Sequence, residues 1–459
     1  MFPSFTLLRK RLREIIAEKE AQGHVVEGLM RELDALPDRY DSLSDFALTL
    51  SDLPHRDDWP YVEPNELEEI WEQCDPTRPL GLMAPFDGER AAARVQTAFL
   101  GAVCGCVLGK PVEMSFDLYQ IRNALENLDE WPLQDYFPEK VVEELQIPYP
   151  SLWGESVRER ISYVPWDDDL NYKIINMLLL ERHGTHFAKD DIRALWLKHL
   201  PIESIFGPER TLLMKAALPT LEFGEETDFH QWVSILNPKE EWCGALIRAD
   251  TFGYACPGRP ALAAELAWRD ASWTHRRTGI YGSMFIAATI ATAPVADHPM
   301  DIFTTAAKFI PQRSRFRECI QFCIDKVGTA SDWLEGYGRI HERYGEYGFC
   351  RIFQEIGTLI NTTTFAKDIS DGICMQVCQG NDTDSFGATA GSILGAFLGP
   401  DCFDSHWLEP FHDEIRTTIA GFYERSLQKV AQRIGNLPNQ IHQELQMEMH
   451  NSGEKKQEW

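Results

Sequence analysis

Two runs of glycine at strict four-residue spacing constrain this chain more than any other feature. The first is Gly101, Gly105 and Gly109, inside RAAARVQTAFLGAVCGCVLGKPVE; the second is Gly387, Gly391, Gly395 and Gly399, inside QGNDTDSFGATAGSILGAFLGP. On a helix that spacing puts the glycines on one face and leaves a groove where another backbone can approach closely. Such a face in an apolar stretch can signal a membrane dimer. Here the runs are short and charged at their flanks, so ridge-to-ridge packing inside one core is the expectation. That packing would carry Glu113, at the end of the first run, towards Asp382 and Asp384, at the start of the second.

The second run opens on Asp382, Thr383, Asp384 and Ser385. A single Asp before a helix is explained by capping and by the positive end of the helix dipole. Two Asp and two hydroxyls are denser than capping needs, and they point to a cation. Asp167, Asp168 and Asp169 form a second cluster, immediately before Ile174, Ile175, Leu178 and Leu179 in a helix expected to end at Gly184. Only one of the three can cap, and adjacent carboxylates repel unless water or a cation bridges them. With Glu113 these are all hard oxygen donors, which select Mg²⁺, Mn²⁺ or Ca²⁺ over zinc. Their number suits two divalent ions sharing carboxylates.

The remainder reads as helix-forming stretches separated by Gly and Pro, including 190–200, 260–275 and 316–327, with little strand-like alternation. The expected class is all-α. Residues 1–90 read as a helical and loop-rich N-terminal extension, 91–436 as the catalytic domain, and 437–459 as a polar C-terminal tail, either a frayed helix or disordered. The uncharged stretch Gly279–Ala296 contains Pro294 and is expected to be a buried core helix, not a membrane span. Formal net charge is -27, with 71 acidic against 44 basic residues, a field that repels phosphate backbones and argues against non-specific nucleic-acid binding. Eleven cysteines and an N-terminus lacking an apolar signal core make a reduced, cytoplasmic protein the expectation. Cys319/Cys323 and Cys374/Cys378 have helical spacing and read as buried core residues, with no further Cys or His in register for zinc.

Taken in order, GAVCGCVLGKPVE, DDDLNY and GNDTDSFGATAGSILGAFLG resemble the ADP-ribosylglycohydrolase family, which includes ADP-ribosyl-acceptor hydrolases. The resemblance spans about residues 92 to 430 and implies an all-α fold holding two ions, Mg²⁺ or Mn²⁺, against the terminal ribose of an ADP-ribosyl group. By that resemblance the family's metal triplet falls on Asp167, Asp168 and Asp169, and its second ligand set on Asp382, Asp384 and Ser385. Glu113 falls where a glutamate assists attack, with Asp168 beside it as the other catalytic carboxylate. WCGALIRADTFG resembles a substrate loop, which puts Gly244 and Arg248 at the ADP-ribose. His275 matches a ligand-contacting histidine, and Asn361 is placed at the pocket.

The chain also departs from the family. Gly105-Cys106-Val107-Leu108-Gly109 stands where Gly-Asp-Ala-Leu-Gly is frequent, Asp167 replaces a threonine, and the first 90 residues have no counterpart in compact members. The reading that follows is a divalent-metal-dependent hydrolase that frees ADP-ribose from a protein side chain or another ADP-ribosylated molecule. Two rivals are a non-catalytic ADP-ribose binder and a binuclear-metal hydrolase of another nucleotide-derived substrate.

Overall fold

The computed structural model describes residues 4–113, 116–147, 154–217 and 229–454. Among them the regular structure is helical; extended backbone pairs only in isolated bridges such as Asp117 with Gly380. This is the all-α fold expected.

At its centre lie two antiparallel helices, Gly88–Gly109 and Thr383–Leu398. The first is capped by Asp87, whose carboxylate accepts from the Arg90 N–H at 3.0 Å. It tightens into a 3₁₀ turn over Lys110–Val112, where Pro111 has no N–H to continue it. Gly101 faces Gly391, Gly105 faces Gly387 and Gly109 faces Thr383. A β-carbon on Gly101 would stand 2.7 Å from the Gly391 carbonyl oxygen, and one on Gly387 would stand 2.5 Å from that of Gly105. The Thr383 hydroxyl donates to the Gly109 carbonyl at 2.8 Å. The ridge packing read from the spacing is therefore present, with one difference. Gly399 does not join the ridge; it caps the second helix at φ 84° and lies against the Arg94 side chain. Its left-handed backbone is what requires glycine there.

Other helices wrap this pair. Thr278–Thr292 is buried along its whole length, and Pro260–Ala271 runs nearby. Thr278–Val295 and Gly88–Val112 are long and apolar enough to cross a membrane by composition, yet both are mostly covered by the rest of the chain. They are core helices.

The N-terminal helices Phe5–Ala21, Leu29–Ala35 and Tyr40–Thr49 form a small core of their own around Leu8, Leu12, Ile15, Leu33, Leu43 and Phe46. Ion pairs tie it to the body: Glu18 with Arg351 at 2.8 and 2.9 Å, and buried Lys19 with Glu240 at 3.2 Å.

Of the two forms expected for the C-terminal end, the described residues take the helical one. Leu427–Glu454 is one helix, with Pro438 inside it. Leu437 and Ile441, one turn apart, are buried. Gln440 donates to the Leu180 carbonyl at 3.0 Å, and Glu444 accepts from the Thr185 N–H and hydroxyl at 2.9 Å each. Beyond Asn436, two apolar anchors and a fastened carboxylate hold a stretch of the helix whose composition is otherwise that of a solvated segment.

Candidate functional site

The antiparallel ridge brings the C-terminal end of one central helix beside the N-terminal start of the other, and the acidic motifs meet there. Glu113, Asp382 and Asp384 offer oxygens within 4.8 Å of one another. Asp167 and Asp169 make an equally close group with the Cys106 thiol. Ser385 joins the two groups by donating to Asp169 Oδ2 at 3.0 Å.

Local folding explains each placement. Asp167 is the N-cap of Asp168–His183, its carboxylate accepting from the Asp169 N–H at 3.0 Å. This leaves Asp168 and Asp169 in the first turn, at the positive end of the dipole. Asp382 precedes the second ridge helix without capping it, so its carboxylate is free to face the cleft. The turn before it needs positive φ at Gly380 (82°) and Asn381 (67°). A β-carbon on Gly380 would also collide with the Phe116 carbonyl, and the Asn381 N–H donates to that same carbonyl at 2.8 Å. The segment following Glu113 is thereby pinned to the segment preceding Asp382.

One group at the centre was not singled out by sequence reasoning. Lys110 places its ammonium between the clusters, paired with Asp167, 3.2 Å from Asp384 Oδ2 and 3.6 Å from Glu113. It stands one residue beyond a ridge glycine, a position whose direction spacing alone does not fix. Burial works against this ammonium, yet Asp167 and Asp384 hold it far above the usual lysine value. Asp167 is itself buried, and Lys110 still keeps it below the usual carboxylate range.

The other carboxylates are pushed the opposite way. Burial, followed by Asp167, drives Asp168 and Asp169 well up. Burial, followed by Asp384, drives Asp382 well up and Glu113 up to about 8. Six carboxylates (Glu113, Asp167, Asp168, Asp169, Asp382 and Asp384) face one central ammonium, which leaves an excess of five negative charges when all are ionised. Two divalent ions bring four positive charges. Asp169 Oδ1 is buried and has no hydrogen-bond partner, an orphaned acceptor of the kind a cation satisfies. The donor set therefore fits hard divalent cations.

The expected substrate residues lie elsewhere in the same body. Gly244 is half-buried in the turn Cys243–Ala245. Its neighbour Cys243 directs its thiol to Asp382, so this loop does border the acidic cleft. Arg248 is fully buried. Its guanidinium donates to the Asp270 carboxylate and carbonyl, Glu209, the Gly244 carbonyl and Thr274, and none of these bonds points outward. His275 is also fully buried, with Nδ1 2.8 Å from the Thr274 hydroxyl and Nε2 without a partner. Burial, then Arg248, holds its ring neutral. Asn361 is buried and donates to the Trp333 carbonyl and to Gln379, both at 2.8 Å. It braces the residue from which the Gly380 turn begins, and does not line an open cleft.

Comparison with known proteins gives two findings. A family model described as ADP-ribosylglycohydrolase matches residues 87–441. Among solved structures, an ADP-ribosylglycohydrolase-related protein complex is similar at 16% identity and a TM-score of 0.44, over 77% of this chain and 99% of that one. No curated protein matches the chain. The matched segment starts one residue before the first ridge helix and leaves the N-terminal helices outside it.

Proposed function

The chain belongs to the ADP-ribosylglycohydrolase family, and from that membership we propose that it is a divalent-metal-dependent hydrolase that cleaves the bond between the terminal ribose of ADP-ribose and an acceptor. The observation that carries this reading is the meeting of Asp167–Asp169 with Asp382–Ser385 at the open end of the glycine ridge. Asp167, Asp168, Asp169, Asp382, Asp384 and Ser385 would hold two ions, Mg²⁺ or Mn²⁺. When bound, these would supply Lewis acidity toward the ribose diol and an attacking water.

The protein's own groups supply the rest. Glu113 lies at the rim, its side chain 26% exposed; without ions its carboxyl is held up at about 8, and the positive charge of two bound cations would bring it down to the ionised form that can take a proton from water at its Oε atoms. Asp168, half-buried at the head of its helix, would stabilise positive charge developing on the ribose as the acceptor leaves. In a chain this acidic, the pyrophosphate would rely on backbone N–H groups of the turn around Gly244. Arg248, with His275 beside it, would hold that turn in place through the Gly244 carbonyl and Glu209.

The test is release of free ADP-ribose from arginine-, serine- and nucleic-acid-linked substrates with Mn²⁺ or Mg²⁺ and with EDTA. Release on at least one linkage that EDTA abolishes is expected. Metal-independent release, or no release on any linkage, overturns the proposal. One observation favours a second reading, a non-catalytic ADP-ribose binder: Lys110 already provides a cation among the carboxylates. Tight ADP-ribose binding in EDTA without turnover in Mn²⁺ or Mg²⁺ would select it.

A further inference from the structure

We propose that Cys243, Cys350 and Asp382 form a separate thiophilic cation site, one that takes Zn²⁺ or a metal of similar softness. Both sulfurs lie 3.2 Å from the same oxygen, Asp382 Oδ2, and the three ligand atoms fall within 4.8 Å of one another. Tetrahedral zinc, with bonds of ~2.3 Å to sulfur, sets two sulfurs about 3.8 Å apart, so small shifts of the side chains would close the site. Two sulfurs and one oxygen prefer zinc over Mg²⁺ or Mn²⁺. Three protein ligands leave a fourth position for water, and coordination would expel both thiol protons to solvent.

The surrounding backbone is built to present these thiols. The Cys243 N–H donates to the Cys350 carbonyl at 3.0 Å, which fixes the two segments side by side. Cys350 and Ile352 both have left-handed backbone, φ 62° and 70°, a conformation residues with a β-carbon seldom adopt. The Glu355 carboxylate holds that loop by accepting from the Cys350 N–H at 2.8 Å and the Ile352 N–H at 2.9 Å. Burial does not set this pair apart, since Cys243 shares the apolar core with Cys319, Cys323, Cys374 and Cys378; the shared carboxylate does, for Cys319 directs its thiol to the Phe353 carbonyl instead. Cys350 is only half-buried, which gives an ion a way in. Sequence reading missed the group because its members come from three distant segments and follow no zinc spacing.

Sharing Asp382 gives the site a consequence, and this part rests on the hard-ion reading above. A soft metal that takes Asp382 Oδ2 removes a ligand from the Mg²⁺ or Mn²⁺ set, so the two centres would compete.

The experiment uses the full chain, kept reduced, with Cd²⁺ as probe and its thiolate charge-transfer absorption as readout. The wild type is expected to develop the band at one equivalent of Cd²⁺. Cys243→Ser and Cys350→Ser should each lose half of it, and the double variant all of it. Serine keeps a hydroxyl donor for Asp382, and a thermal melt confirms folding. No band in the wild type, or an undiminished band in the double variant, overturns the site. A second arm follows bound Mn²⁺ by electron paramagnetic resonance. Zn²⁺ should displace Mn²⁺ from the wild type at a lower concentration than from the double variant, where it competes only by direct exchange at the carboxylates. Equal Zn²⁺ requirements in the two proteins overturn the sharing of Asp382. An intact Cd²⁺ band without any Mn²⁺ binding supports the thiol site and overturns the hard-ion reading alone.

Discussion

At the scale of single residues, two cations do opposite jobs. Lys110 neutralises carboxylates at the cleft, whereas Arg248 neutralises Glu209 and Asp270 where no solvent reaches. Replacing Lys110 by Met should lower the melting temperature of the metal-free protein, because Asp167 and Asp384 would face each other uncompensated. The same change should tighten Mn²⁺ binding about tenfold, ~1.4 kcal/mol, as titration calorimetry would record. Equal or weaker Mn²⁺ affinity would mean that Lys110 does not compete for these oxygens. Arg248→Met strands two buried carboxylates, a loss of about 3–5 kcal/mol in urea unfolding. Unchanged stability with weakened ADP-ribose binding would instead return Arg248 to the substrate role its motif suggested. The acidic motifs were legible because each is contiguous and sits at a helix start. Lys110, Cys243 and Cys350 were not, since what they touch depends on which distant segments the fold brings together.

At the scale of elements, the glycine ridge is the feature with the least tolerance. Ala at Gly105 would drive a β-carbon into the Gly387 carbonyl, which is backbone and cannot rotate away. Gly105→Ala should therefore cost about 3 kcal/mol or more in chemical denaturation, with Mn²⁺ binding lost in parallel. Gly338 is the control: it lies within Trp333–Tyr344 and a β-carbon there meets nothing within 4 Å. Gly338→Ala should stabilise by about 0.5–1 kcal/mol. Destabilisation at both positions to the same extent would remove the ridge from the explanation. Apolar periodicity revealed Pro260–Ala271, Thr278–Thr292 and Arg315–Val327 because each buries a face or more. The end of the Leu427–Glu454 helix reads from sequence as frayed or disordered because its hold there comes from Leu437, Ile441 and polar ties such as Glu444 to Thr185. A hydropathy pattern does not register ties of that kind.

At the scale of the whole molecule, the N-terminal helices are fastened to the body by charge, and a neutral histidine ties segments within their own unit, so the stability of that unit should depend on pH. His24, whose ring nitrogen Nδ1 lies 2.7 Å from the Leu53 carbonyl, is lowered to about 4 by burial, then by Lys19 and His55. A base whose folded value is depressed contributes fully above its unfolded value, near 6.5, and loses that contribution as pH falls towards 4. Glu240 is lowered to about 2, Lys19 and Arg277 outweighing its burial, so its contribution holds until pH falls below about 4.5. Between pH 7 and pH 5 the melting temperature should thus fall more steeply in the wild type than in His24→Asn. Parallel slopes would show that His24 does not govern this window. The central pair of helices carries a different consequence. Its mating surfaces repeat every four residues, so the nearest alternative seating lies one repeat away, a slide of about 6 Å along the axis. That displacement exceeds the reach of the Ser385 hydroxyl for Asp169. Intermediate seatings would press glycine grooves against bulkier side chains. Assembly of the cleft should accordingly behave as a notched device: either seated in its single working register or wholly unmade, with no graded positions between.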